Sequence, residues 1–171
     1  MTEYEKIKTQ SQQICKEILS RKNLLEQLLI FEPLQSGKAE SLYIKDPITQ
    51  KKTKMIFRIT EKGKKDSRYV ELTVKSTMVQ KFGTPSEAEI KVDKNDAMIT
   101  YISVQQSSAE LESYISKIIE DNIDSFEPSE RFGCCYRYRE CSAAKKCLHP
   151  DQVYAKACWY RKNLEAGKIF Y

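Results

Sequence analysis

Within the first thirty positions the apolar side chains Tyr4, Ile7, Ile14, Ile18, Leu25, Leu28 and Leu29 recur at steps of three and four, with charged and amide side chains between them. That spacing lays one stripe along a helix of 3.6 residues per turn. No proline or glycine interrupts it before Pro33, so the pattern predicts a helix from about Glu3 to Ile30. The stripe has two uses: packing on the rest of the fold, or a coiled-coil seam that would make a homodimer through this helix. A helix near 28 residues is longer than most, which keeps the seam in play. Cys15 lies beside the stripe and reads as a small buried hydrophobe.

From Glu40 to Gln105 the period drops to two. The runs SLYIK, TKMIFRIT, RYVELTV, EAEIKV and MITYISV are rich in β-branched and aromatic residues, and DPITQ, EKGKKDS, FGTPS and DKND separate them as turns. Short links favour antiparallel neighbours. The apolar face of such a sheet needs a cover, and SSAELESYISKIIEDNIDSF offers one. Ser108 is placed to cap its N-terminus, and Leu111, Ile115, Ile118 and Ile119 form its stripe. EPSE then ends the pattern. The expected architecture is α+β: a long N-terminal helix (residues 1–35), an antiparallel sheet of about five strands with a covering helix (36–127), and a cysteine-rich module (128–171).

Composition adds little to the first two segments and much to the third. The 171 residues are 40% apolar and 31% charged, an ordinary globular balance. The start, MTEYEKIKTQSQQ, has no apolar core of a signal peptide, and the longest apolar run, LLEQLLIF, is too short to cross a bilayer. The expectation is a soluble cytosolic chain without membrane contact, whose thiols stay reduced. Charge is uneven. Residues 131–168 hold nine Lys/Arg and three Asp/Glu, while the remainder holds 20 and 21, so the net +5 resides in the cysteine region.

Five of the six cysteines and the single histidine lie between Cys134 and Cys158. The spacing is Cys135-x5-Cys141-x5-Cys147-x10-Cys158, with Cys134 beside the first and His149 two residues after the third. Four soft ligands in one short segment suit a tetrahedral structural zinc ion. An iron–sulfur cluster is the alternative for four thiolates. The spacing is not that of paired CxxC knuckles, so each ligand must arrive from its own loop or helix end. Cys141, Cys147 and Cys158 have no competitors nearby. Cys134 and Cys135 cannot easily both face one ion, and Cys135 is preferred. His149 could replace a thiol or orient one from outside, just before a helix that the pattern predicts to start at about Pro150 or Asp151. A module of about 40 residues buries too little apolar surface to offset its ordering entropy, and bound zinc would contribute folding free energy on the order of 10 kcal/mol.

Basic and aromatic side chains surround the cluster. Arg137, Arg139, Lys145, Lys146, Arg161 and Lys162, with Lys156, fit a solvated face, a nucleic-acid contact or an anchor on an acidic protein surface. Enzyme signatures are sparse. The chain has no P-loop and no glycine-rich dinucleotide loop, and one histidine among candidate metal ligands is weak support for a Cys–His nucleophile. Glu89-x-Lys91 has the spacing that metal-dependent nucleases place on a strand, with Asp66 or Glu71 as the second acid. The same alternation belongs to any half-buried strand.

The run from FGCCYRYREC through KKCLHPDQVYAKACWYRKNLEAGKIFY resembles a cysteine-rich tail found in small proteins of phages and mobile elements. It covers about 40 residues, roughly a quarter of the chain. The resemblance implies a mobile-element origin, a metal-holding tail and residence in the cytoplasm of a host bacterial cell. Some phage proteins of this size, zinc-containing ones included, are anti-CRISPR inhibitors of Cas9-type (type II) effectors. The implied function is non-enzymatic: binding to a host defence nuclease and blocking its loading of nucleic acid. A nucleic-acid-binding zinc protein of phage regulation is the alternative, and a cluster-dependent nuclease a further one.

Overall fold

A computed structural model describes residues 1–126 of the chain, apart from 23, 25, 36 and 46–50. Helix α1 spans Glu3–Arg21 and starts with a capping box. Thr2 Oγ1 accepts the Glu5 N–H at 3.2 Å, and the Glu5 carboxylate accepts the Thr2 N–H at 3.0 Å. Two of the amide donors that a helix start leaves over are thereby satisfied.

The helix ends nine residues earlier than its apolar pattern predicts, at Arg21 rather than Ile30. A short 3-10 turn, Glu26–Leu28, follows, and Leu29–Pro33 forms strand β1. An apolar run as short as LLEQLLIF satisfies either period, and tertiary packing decides between them. Here Leu24 and Leu28 bury fully in the core, and β1 takes its backbone hydrogen bonds from β2. The last turn of α1 is tied instead to the end of the covering helix. Arg21 lies 3.0 Å from Glu120, and Lys22 lies 3.3 Å from Glu120 and 2.9 Å from Asp124.

Among the described residues the sheet therefore has six strands, one more than expected. After β1 come β2 (Ala39–Lys45), β3 (Lys52–Lys62), β4 (Tyr69–Lys75), helix α2 (Ser76–Phe82), β5 (Glu89–Val92), β6 (Ile99–Val104) and helix α3 (Ala109–Asp124). Their order is β1-β2-β3-β4-β6-β5, and every neighbouring pair is antiparallel. Strands β4 and β5 run the same way with β6 between them, and α2 makes the crossover. The periodicity does not reveal α2. It is short, has no side-chain N-cap and depends on tertiary contacts. Met78 is buried, Asn122 Nδ2 reaches its sulfur at 3.6 Å, and Lys81 pairs with Asp121.

The three described α-helices pack on one face of the sheet. The pairing aligns Phe31, Leu42, Phe57, Val74, Thr100 and Val92 as one inner row, and Pro33, Glu40, Ile59, Leu72, Ile102 and Ile90 as the next. Helix α3 begins at the expected cap, with Ser108 Oγ accepting the Leu111 N–H at 3.1 Å. It buries Leu111, Ile115, Ile118 and Ile119 as its pattern requires. One core runs from Tyr4 to Phe126, so the N-terminal helix and the sheet form a single packed body. The α1 stripe, Tyr4, Ile7, Ile14 and Ile18, is buried within it. No helix among the described residues is long and apolar enough to cross a membrane.

Two tyrosines test this packing. Burial pushes the Tyr114 phenol up to about 12, and burial with the nearby Glu40 and Glu61 charges does the same for Tyr4. Both phenols hold their protons more tightly when folded. Their contribution is complete below about pH 10 and falls away as pH rises towards 12. The Tyr114 hydroxyl also lacks a hydrogen-bond partner among the described residues. Tyr114→Phe is thus expected to raise the free energy of unfolding by about 1 kcal/mol, measured by urea titration, because it removes an unpaired buried hydroxyl. A loss of similar size would mean that the hydroxyl is paired.

Candidate functional site

The face opposite the helices carries no described element. Its central row crosses all six strands: Glu32, Ser41, Arg58, Thr73, Tyr101 and Lys91. Period-two alternation turns these side chains away from the core that their neighbours Phe31, Leu42, Phe57 and Val74 fill. Several are held in place. Arg58 Nε donates to Ser41 Oγ at 2.9 Å. The Tyr101 hydroxyl donates to Asp93 Oδ2 at 2.6 Å. This bond, with the Asn95 and Asp96 amides, keeps the Asp93 carboxyl below its ordinary range, and Asp93 in turn raises the Tyr101 phenol. At the start of β3, the Lys52 ammonium sits 4.8 Å from the centre of the Tyr43 ring on β2 and 2.6 Å from Glu32. An open face with positioned rings and charges suits a macromolecular surface better than an enclosed small molecule.

A cleft of about 370 Å³ opens where β3, β4 and the start of β6 meet, lined by Lys54, Met55, Lys75, Asp96, Met98 and Ile99 among others. Burial, with Lys54 nearby, lowers the Lys75 ammonium from its usual value. A second cleft, about 760 Å³, lies between α1 and β1 and reaches Cys15. That thiol is 5% exposed, and burial pushes it up to about 12, so it is not poised as a nucleophile or metal ligand.

The register locates the carboxylates of the nuclease spacing. Glu71 and Glu89 both pair with Ser103, one from each side, so they share the outer face but stand two strands apart. Neighbouring strands are spaced about 4.8 Å, which puts the two backbones roughly 10 Å from each other. Lys91 belongs to the next row, opposite Tyr101. Asp66 sits in the exposed turn between β3 and β4. Among the described residues no three His, Cys, Asp or Glu side chains converge as a metal site. Sequence reasoning did not foresee the Glu71–Ser103–Glu89 row, because strand order alone brings β4 and β5 to either side of β6.

The other sequence candidates lie outside the described residues. They are Cys134, Cys135, Cys141, Cys147, Cys158 and His149 for metal, and Arg137, Arg139, Lys145, Lys146, Arg161 and Lys162 for a partner. Comparison of the chain with protein-family models, with curated proteins and with solved structures returns no match.

Proposed function

We propose that this chain is a non-enzymatic, zinc-binding protein of phage type that attaches to a host defence nuclease of the Cas9 type and blocks its loading of nucleic acid. The observation that carries the reading is the segregation of chemistry along the chain. Five of six cysteines, the single histidine and the whole positive excess fall in the last quarter, after a near-neutral body. In this reading Cys135, Cys141, Cys147 and Cys158 hold a structural zinc ion, with Cys134 or His149 as a substitute. Arg137, Arg139, Lys145, Lys146, Arg161 and Lys162 then form a basic surface for an acidic patch on the nuclease. The sheet face that no described element covers, with Arg58, Tyr101 and Tyr43 held in position, supports the reading as a second platform for protein contact. The site of action is the host bacterial cytoplasm.

The same basic residues favour one other reading, a nucleic-acid-binding zinc protein. Salt separates the two. If the tail contacts phosphates, affinity for free duplex DNA falls with a log–log slope of about −0.9 per phosphate neutralised. The expected outcome is weak binding with no steep slope, since the first 126 residues are near neutral overall, with 20 Lys/Arg against 19 Asp/Glu. Submicromolar duplex binding at roughly physiological salt would overturn the inhibitor reading in favour of the second, because typical non-specific affinities there are about 100 µM to 1 µM.

A further inference from the structure

The two edges of the sheet differ. Strand β1 ends in Pro33, which donates no ladder hydrogen bond and blunts that edge. Strand β5, Glu89–Val92, has no proline and, among the described residues, pairs on one side only, with β6. The Asp93 N–H donates to the Ile99 carbonyl at 3.0 Å. In an antiparallel ladder alternate residues turn their amide groups the same way. Glu89 and Lys91 therefore bond towards β6, and the N–H and C=O groups of Ile90 and Val92 point out of the sheet.

The side chains of this edge are also unpartnered among the described residues. Ile90 and Val92 align with the buried inner-face positions Ile102 and Thr100, yet they are 48% and 52% exposed, because the helical layer does not extend over them. Glu89 and Lys91 occupy the outer face and form no ion pair among the described residues.

We propose that β5 is a dimerisation edge, and that two copies of this chain pair there antiparallel about a twofold axis through Ile90. With Ile90 opposite Ile90 of the second copy, those two residues exchange N–H···O bonds. Glu89 of each copy then faces Lys91 of the other, on one side of the joined sheets. On the opposite side the two exposed Ile90 side chains meet, and each Val92 meets Ala88 of the second copy. The neighbouring register keeps the backbone bonds but sets Lys91 against Lys91 and Glu89 against Asp93. Charge therefore selects the first register. Opposite charges across strands stabilise and like charges destabilise. A joint of four residues per copy places the dimer in the small, weak and concentration-dependent class of interface.

Sedimentation equilibrium of the full chain, from micromolar to submillimolar concentration, tests the proposal. The natural chain is expected to show a reversible monomer–dimer equilibrium. Glu89→Lys and Lys91→Glu each turn both salt-bridged pairs into repulsions and are expected to weaken the dimer about tenfold. The double variant E89K/K91E recreates the pairs in reverse and is expected to restore it. Both positions are exposed, and unchanged unfolding midpoints confirm that the variants remain folded. A natural chain that stays monomeric throughout, or a double variant as weak as the singles, would overturn the proposal.

Discussion

Phe57→Ala is expected to lower the free energy of unfolding by about 3–5 kcal/mol. Phe57 is among the largest side chains that the fold buries completely, at 1% exposure. It sits in the middle of the inner row, between Leu42 on β2 and Val74 on β4, all beneath the helical layer. Truncation removes its transfer free energy and leaves a cavity between strands too firmly paired to close it. Urea titration should show a lower midpoint with an unchanged slope. Ile90→Ala, in the same inner face but half exposed, should cost under about 1 kcal/mol in the monomer. Equal losses at the two positions would mean that the helices do not cover the sheet as described.

Cys147→Ser is expected to remove the metal and with it several kcal/mol of stability in the C-terminal module. The proposed zinc supplies folding free energy on the order of 10 kcal/mol, and loss of one thiolate forfeits most of it. Elemental analysis should find about one zinc per natural chain, in colourless protein, and much less in the variant. Cys141→Ser and Cys158→Ser should behave alike. Cys15→Ser should keep its zinc, since that thiol is buried in the core of the body. Iron and sulfide in brown protein would replace zinc by a cluster and revive the nuclease alternative.

Much of the fold was legible because burial imposes a period. The alternation in RYVELTV and MITYISV set both the strands and their inward faces, while a register shift in TKMIFRIT buries the adjacent Ile56 and Phe57 together; Ser108 marked the start of α3 from its spacing to Leu111. The misjudged segments are those whose structure depends on distant partners. Leu28 and Leu29 fit the α1 stripe equally well, and only the free edge of β2 makes the latter a strand residue. Helix α2 stands on Met78 and Lys81 meeting α3, contacts that a local window does not contain. The candidate site divides the same way. The alternation of EAEIKV shows which residues share a face, but not that β5 is an edge or that Glu71 lies two strands from Glu89. The cysteine spacing speaks for the type of ligand chemistry. It does not choose between Cys134 and Cys135, because adjacent residues differ in direction and not in chemistry.

Co-elution of the purified, zinc-loaded chain with a Cas9-type nuclease tests the proposed function most directly. At physiological salt the two should emerge from gel filtration as one stoichiometric complex, and the nuclease in that complex should load less target DNA than the nuclease alone. Charge reversal at Arg137, Arg139, Lys145 and Lys146 together should abolish both effects while leaving the zinc in place. Separate elution, with DNA loading unchanged, would contradict the account.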